Sequence, residues 1–135
     1  MELVLDASVV IKWFLQEKSS EEALRYRQQH LEGRVALVAP SLLPFEIVNA
    51  ICTKTKTRLP TILEAIETYR FTGITEYFLT EKLAQLAATL SKTYRISVYD
   101  AAYVALAQNL GCQFITADRK LYRKIKSLRF VKLLE

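Results

Sequence analysis

Histidine and cysteine are scarce in this sequence, which contains one histidine, His30, and two cysteines, Cys52 and Cys112. The cysteines stand far apart in apolar surroundings without CxxC spacing, so we predict small core residues rather than a disulfide or a zinc site. His30 falls within a predicted surface helix, where we expect a solvated side chain. The lack of a histidine for catalysis argues against a Ser-His-Asp hydrolase and against a histidine-based ribonuclease.

Long apolar runs, repeats and linkers are also missing. No run approaches the roughly 18 apolar residues of a membrane span. The apolar start at residues 3–5 lacks a basic lead and is interrupted by Asp6, unlike a signal peptide. We therefore expect a cytoplasmic protein without membrane contact. No internal repeat or Pro/Gly/Ser-rich segment divides the 135 residues, so we predict a single domain over 1–135.

Basic residues exceed acidic ones, 19 against 14, which gives a formal charge of +5. That excess is compatible with a polyanionic partner. The basic residues form two clusters, one made of Lys54, Lys56 and Arg58 and the other of Arg119, Lys120, Arg123, Lys124, Lys126 and Arg129. Taken alone, such clusters are more typical of solvated helix faces than of binding sites.

Short apolar segments alternate with segments of helical periodicity along the chain. We predict strands at residues 2–6, 35–39, 74–79, 113–116 and 129–134. Helices are predicted from a capping box at residues 19–22 to Gly33, over 41–56 with Pro44 in the first turn, over 60–69, from the cap Thr80 to residue 94, over 98–110 between Ser97 and Gly111, and after Asp118. Strands separated by helices pair in parallel through right-handed crossovers. We therefore expect an α/β fold, an open parallel sheet of about four to five strands with helices on both faces in an α/β/α arrangement.

Two aspartates lie at the carboxyl ends of predicted strands. Asp6 ends the first strand, and Asp118 follows the strand at residues 113–116. Ligand sites of open parallel sheets lie at the carboxyl ends of the strands, so both side chains should reach the same crevice. The alternative interpretation is that each aspartate only caps the helix after it, a position that aspartate prefers.

Two further carboxylates lie in apolar stretches of predicted helices. Glu46 is preceded by Phe45 and followed by Ile47, so an ionised carboxylate there needs a cation, a hydrogen-bond donor or solvent. Asp100 begins an apolar helix, where it either complements the helix dipole or faces the crevice as a ligand. A solvated surface position is the simpler alternative for Glu46.

Several carboxylates in one crevice repel each other unless a cation neutralises them. Ligation by oxygen alone, without nearby cysteine or histidine, favours Mg²⁺ or Mn²⁺ over Zn²⁺. A divalent ion held in this way lowers the pKa of a bound water and orients a phosphate group. The residues therefore favour metal-assisted hydrolysis of a phosphodiester.

Four short runs in this order resemble PIN domains, and most closely the VapC toxins of bacteria and archaea. They are LDASVVIKWF at residues 5–14, PFEIVN at 44–49, YDAAYVALA at 99–107 and ITADR at 115–119. The resemblance implies a metal-dependent endoribonuclease whose metal site matches Asp6, Glu46, Asp100 and Asp118. It also matches Ser8, Asn49 and Thr116 to polar neighbours that assist ligation or position water.

The chain departs from the family pattern after the last aspartate, where a further acid is common. Arg119, Lys120 and Leu121 follow Asp118 here, so we expect one tightly bound ion and a second that arrives with substrate.

The resemblance also implies a homodimer, an RNA substrate and a VapB-like antitoxin that blocks the acidic site. Carboxylates cannot attract RNA, so its phosphates need basic residues, and Lys12, Arg119, Lys120 and Arg123 are the nearest candidates in sequence. Six aromatic residues are candidates for an exposed surface that faces a partner, but aromatic residues in helices are more often buried. We therefore expect most of the six in the core: Trp13, Phe14, Tyr69, Phe71, Tyr77 and Phe78.

Three other interpretations compete with this one. A response-regulator receiver needs adjacent acids after the first strand, and a haloacid-dehalogenase-type phosphatase needs an aspartate at position 8, whereas the chain has Ala7 and Ser8. The third is a PIN-like module that binds RNA or a protein without cutting. The presence of all four acids argues against this third interpretation.

Overall fold

The computed structural model describes residues 1–135 and contains five strands. They are β1 (Glu2–Leu5), β2 (Ala36–Pro40), β3 (Thr75–Tyr77), β4 (Gln113–Thr116) and β5 (Val131–Leu133). The strands form one sheet in the order β3-β2-β1-β4-β5, and every neighbouring pair is parallel. This confirms the predicted open parallel sheet, in which β1 lies at the centre beside β4.

Seven α-helices cover the sheet and connect its strands. They are α1 (Ala7–Val10), α2 (Ser20–Leu31), α3 (Leu43–Lys54), α4 (Leu59–Thr72), α5 (Glu81–Tyr94), α6 (Val98–Leu110) and α7 (Arg119–Ile125). The helix α6 packs against β1, β2 and β4 and buries every side chain from Ala101 to Ala107. Its sequence is apolar nearly all round because it is enclosed by the sheet and by α5.

The predicted helix ends are confirmed where cap chemistry is strong. The Thr80 hydroxyl accepts a hydrogen bond from the Leu83 N–H, and the Ser97 hydroxyl accepts one from the Asp100 N–H. Gly111 ends α6 with φ of +67°, a left-handed conformation that glycine adopts without strain. The Ser97 cap fixes where α6 begins, and with it the position of Asp100.

The capping box predicted at residues 19–22 is wrong. Ser19 has φ of +68° and makes no side-chain cap, although α2 begins at Ser20. The Ser20 hydroxyl instead accepts a hydrogen bond from the Glu17 N–H at 2.9 Å and donates one to the Leu15 carbonyl at 3.2 Å. The preceding loop, rather than the helix, therefore uses this serine.

Residues 7–13 form helical turns that the periodicity did not indicate. The short α1 is followed by a 3₁₀ turn over Ile11–Trp13. Val9 and Val10 are fully buried there, so tertiary packing outweighs the low helix propensity of β-branched residues.

The predicted roles of the scarce residues are partly wrong. Cys52 is exposed and Cys112 is half-buried, so neither belongs to the deep core. The side chain of His30 is not merely solvated, because its Nδ1 accepts a hydrogen bond from the Leu37 N–H and its Nε2 lies 2.8 Å from the Thr72 carbonyl oxygen. His30 therefore links α2 to β2 and to the end of α4.

The six aromatic residues divide into three groups. Tyr69 is buried, whereas Phe71 and Phe78 are 79% and 84% exposed and contradict the expectation of a core position. The other three are half-buried against the core: Trp13, Phe14 and Tyr77.

None of the helices combines the length and the apolar character needed to cross a membrane.

Candidate active site

Four carboxylates from different parts of the chain line one cavity of about 180 Å³ at the carboxyl end of the sheet: Asp6, Glu46, Asp100 and Asp118. Asp6 directly follows β1, and Asp118 lies two residues after the neighbouring strand β4. Glu46 lies on α3, and Asp100 lies in the first turn of α6. The topology therefore brings together the four acids that the sequence selected.

Asp6 is the most deeply buried of these acids, with 6% of its surface exposed. One carboxylate oxygen accepts hydrogen bonds from the N–H and the hydroxyl of Ser8, and the other accepts one from the Thr116 hydroxyl at 2.6 Å. Burial raises the pKa of Asp6 to about 7, against the effect of the two hydroxyls and with a further contribution from Asp100 and Asp118.

Ser8 and Thr116 also tie the ends of β1 and β4 together. The Ser8 hydroxyl accepts a hydrogen bond from the Ala117 N–H at 2.8 Å, and the Thr116 hydroxyl accepts one from the Asp118 N–H at 3.1 Å. Both residues that the sequence marked as supporting thus contact Asp6 and position the segment that carries Asp118.

Asp118 is exposed and caps α7. Its Oδ1 accepts a hydrogen bond from the Leu121 N–H at 3.0 Å, while the residue also lines the acidic cavity. The capping and the functional interpretations of this aspartate are therefore compatible, because capping occupies only one of its oxygens.

The pKa values of Asp100 and Glu46 are both raised. Burial raises the pKa of Asp100, and the neighbouring Asp118 raises it further, while Ser97, Lys124 and Lys54 oppose the shift. Burial also raises the pKa of Glu46, where the Tyr103 hydroxyl opposes the shift, Asp100 adds to it and Lys54 again opposes it. Asn49 lines the same cavity one helical turn after Glu46.

Lys54 is a site residue that the sequence reasoning placed only in a basic cluster. It lines the acidic cavity from the last turn of α3, two helical turns after Glu46. That spacing was the available signal, because residues eight apart on a helix share a face. The cavity is therefore lined by the positively charged side chain of Lys54 as well as by carboxylates.

A second cavity of about 200 Å³ shares Asp100 and Asp118 with the first. Three basic residues line it: Arg95, Lys120 and Lys124. The Lys124 ammonium donates to the Arg95 carbonyl at 2.9 Å. A basic groove thus adjoins the acidic cavity along one side.

The other predicted RNA-binding residues lie outside both cavities. The Lys12 ammonium donates to the Lys18 carbonyl at 2.7 Å and lies 3.7 Å from the Glu17 carboxylate, so local contacts hold it away from the acids. Arg119 and Arg123 are exposed on α7 and line neither cavity. Of the four predicted residues, only Lys120 lies in the basic groove.

The donor set fits a hard divalent cation, because all four acidic side chains offer only oxygen donors. The carboxylates are not drawn together as tightly as bound ligands, since no group of three or more acidic, histidine or cysteine side chains has a ready ion-binding arrangement. Like charges in one cavity repel, and a cation would reverse that repulsion. The chemistry of the site therefore fits Mg²⁺ or Mn²⁺.

The model of the PIN domain family matches residues 3–126 of the chain. The chain is 31% identical over 134 residues to Ribonuclease VapC3 of Pyrobaculum aerophilum, covering 95% of this chain and 98% of that protein. It is 27% identical over 125 residues to Ribonuclease VapC9 of Mycobacterium tuberculosis, covering 88% of this chain and 87% of that protein.

Solved structures share the fold. VapBC2 from Rickettsia felis, bound to a DNA fragment from its promoter, matches with a TM-score of 0.70 and 13% identity over the full length of both chains. A toxin-antitoxin complex from Klebsiella pneumoniae matches with a TM-score of 0.69 and 13% identity, covering 96% of this chain and 95% of that one.

Proposed function

Because the chain belongs to the PIN domain family, we propose that it is the ribonuclease toxin of a toxin-antitoxin pair and that it cleaves RNA with Mg²⁺ or Mn²⁺. The observation that carries this proposal is the single cavity lined by four carboxylates, two from the segments that follow β1 and β4 and two from α3 and α6. Four carboxylates against the single ammonium of Lys54 leave the cavity an excess of negative charge, which attracts a divalent cation and repels an RNA phosphate.

The ligands in this proposal are Asp6, Glu46, Asp100 and Asp118. When bound, the ion supplies Lewis-acid activation of water and neutralises charge on the scissile phosphate. Ser8 and Thr116 hold the Asp6 carboxylate in place, and Asn49 positions water at the edge of the cavity. Because Arg119 and Lys120 follow Asp118 in place of another acid, titration calorimetry without RNA should find one tight Mn²⁺ site; two tight sites would contradict this part of the proposal.

The RNA backbone runs over the basic side of the site in this proposal. Lys54 lies within the acidic cavity, and Arg95, Lys120 and Lys124 line the adjoining groove. Cations there hold phosphates that the carboxylates would repel. Arg119 and Arg123 add long-range attraction from α7, whereas Lys12 is engaged elsewhere and no longer belongs to the set.

A VapB-like antitoxin and a second copy of this chain are the proposed protein partners. The relatives of known structure include toxin-antitoxin complexes, which supports the first of these. Exposed apolar side chains on α3 and α4 offer surface for a partner, with Phe45, Leu63 and Phe71 exposed by 81%, 56% and 79%.

The test is to incubate the purified protein, free of antitoxin, with total cellular RNA and Mg²⁺ or Mn²⁺, and to map the cleaved ends. EDTA and the Asp6→Asn variant serve as controls. Discrete cuts that require both metal and Asp6 support the nuclease. RNA that is bound but remains intact under every metal condition would instead support a PIN-like binding module.

A further inference from the structure

The hydroxyl of Tyr103 is a buried polar group without a partner. The residue is 1% exposed, and its oxygen makes no hydrogen bond. Buried hydroxyl groups are nearly always paired, and an unpaired one lowers stability. Its presence in the centre of the molecule therefore calls for a role that compensates for the cost.

The ring of Tyr103 is held in one orientation. It stacks on Phe114 of β4, with the ring centroids 6.1 Å apart and the planes 21° from parallel. Tyr103 lies on α6 one helical turn after Asp100, on the side that faces the acidic cavity. Besides the effect of burial, the hydroxyl lies close enough to the Glu46 carboxylate for the two groups to shift each other's pKa, although no hydrogen bond joins them. The stacked, buried ring keeps the hydroxyl in that place.

A second buried tyrosine shows the ordinary arrangement. Tyr69 is 6% exposed, and its hydroxyl donates a hydrogen bond to Glu76 Oε2 at 2.8 Å. Both tyrosines point at a glutamate, but only Tyr69 has completed the bond. The difference is that Glu76 stands alone on the edge strand β3, whereas Glu46 shares a cavity with three other acids.

We propose that Tyr103 is a positioning residue for Glu46, whose hydroxyl donates to one carboxylate oxygen when the other oxygen binds a divalent cation. This inference rests on the proposed function, because it takes Glu46 as a metal ligand. Partners of this kind fix the orientation of a ligand, and their removal weakens metal binding or activity by about 10- to 100-fold. A hydrogen bond from Tyr103 to Glu46 in the metal-bound site would thus give the buried hydroxyl a partner and fix the orientation of the ligand.

The test compares Tyr103→Phe with the matched variant Tyr69→Phe, since each change removes only one buried hydroxyl. Mn²⁺ binding is measured by titration calorimetry, thermal unfolding with EDTA by circular dichroism, and RNA cleavage by initial rates. For Tyr103→Phe we expect Mn²⁺ affinity to fall about tenfold and kcat to fall with it, the KM for RNA unchanged. Its melting temperature with EDTA should stay the same or rise.

The Tyr69→Phe variant should behave in the opposite way. Losing the bond to Glu76 lowers the melting temperature by a few degrees, while Mn²⁺ affinity and kcat remain those of the wild type. A purely structural role for Tyr103 would give this same pattern in Tyr103→Phe, and that result would overturn the inference.

A second comparison uses Glu46→Ala, which removes every acceptor at this position. If Tyr103 acts through Glu46, the change Tyr103→Phe has no further effect on Mn²⁺ affinity in a Glu46→Ala background. An undiminished tenfold loss there would mean that Tyr103 acts on another group, which contradicts the inference. A wild-type protein that binds no Mn²⁺ would overturn the proposed function and this inference together, whereas normal wild-type binding with an unaffected Tyr103→Phe overturns this inference alone.

Discussion

The central strand β1 has a carboxylate at each end, and the two have different surroundings. Glu2 at the amino end accepts a hydrogen bond from the Tyr77 hydroxyl at 2.9 Å. Asp6 follows the carboxyl end and lies in a cavity with three other acids, where its pKa is raised to about 7. A paired carboxylate maintains structure, whereas several mutually repelling carboxylates in one cavity indicate a site for a ligand.

Cavity size alone would have selected the end of the sheet opposite the acidic cavity. The amino end has the larger cavity, about 570 Å³, lined largely by apolar residues that include Leu3, Leu110 and Phe130. The acidic cavity is about 180 Å³. Converging polar groups, rather than volume, therefore distinguish the functional end from the structural end.

The largest expected effect is the difference in RNA cleavage between two single amide variants, one at each end of β1. Asp6→Asn should reduce RNA cleavage by more than about 100-fold. The loss of a metal ligand weakens the site more than the loss of a residue that only positions a ligand. Glu2→Gln keeps an acceptor for Tyr77 and should leave cleavage within about twofold of wild type. Equal losses in initial rate for both variants would remove the distinction between the two ends.

The next largest expected effect is a pH dependence of stability that comes from Asp6, at the carboxyl end of β1. The pKa of Asp6 is raised from 3.8 to about 7 in the folded state, so folding favours the protonated carboxyl. The folded protein therefore loses stability as the pH rises through that range. Without metal, we expect a loss on the order of 3 kcal/mol from Asp6 between pH 5 and pH 8. Urea unfolding with EDTA measures it.

The matched variant for this measurement is Asp6→Asn, whose amide does not titrate. It should be more stable than wild type at pH 8 and close to it at low pH. Mn²⁺ should restore wild-type stability at pH 8, since the cation favours the ionised carboxylates. A difference between the two proteins that does not vary with pH would contradict the assignment.

His30 provides the opposite test, because its loss should lower stability without affecting RNA cleavage. His30→Ala removes the contacts with Leu37 and Thr72 and should lower the free energy of unfolding by about 2 kcal/mol. RNA cleavage by the folded variant should be unchanged. Gln28→Ala, on the exposed face of the same helix, should change stability by less than about 0.5 kcal/mol. A His30→Ala variant that folds normally but cleaves poorly would connect the two ends.

The smallest expected effect distinguishes two lysines of one basic cluster. Lys54→Gln should lower kcat/KM for RNA about fivefold and reduce the salt dependence of binding by about one phosphate contact, because Lys54 lines the acidic cavity. Lys56→Gln should change the free energy of RNA binding by less than about half as much as Lys54→Gln does. Cleavage rates at several salt concentrations provide the measurement, and identical slopes for both variants would remove Lys54 from the site.

The parts of the fold that could be predicted have local causes. The buried strands are continuous apolar runs, and the caps Thr80 and Ser97 bond to N–H groups three residues away. The helical turn at Ala7–Val10 could not be predicted because Val9 and Val10 favour strands and only burial makes them helical.

The sequence by itself determined which acids the chain has and that two of them follow strands, so a parallel sheet had to bring Asp6 and Asp118 to one edge. Only the tertiary structure decided which basic side chain lies among these acids and which polar groups have a hydrogen-bond partner. Lys54 enters the cavity, Lys12 is held by Glu17 and Lys18, and the Tyr103 hydroxyl is buried unpaired. These outcomes depend on through-space contacts and on burial, which residue type and local spacing do not specify.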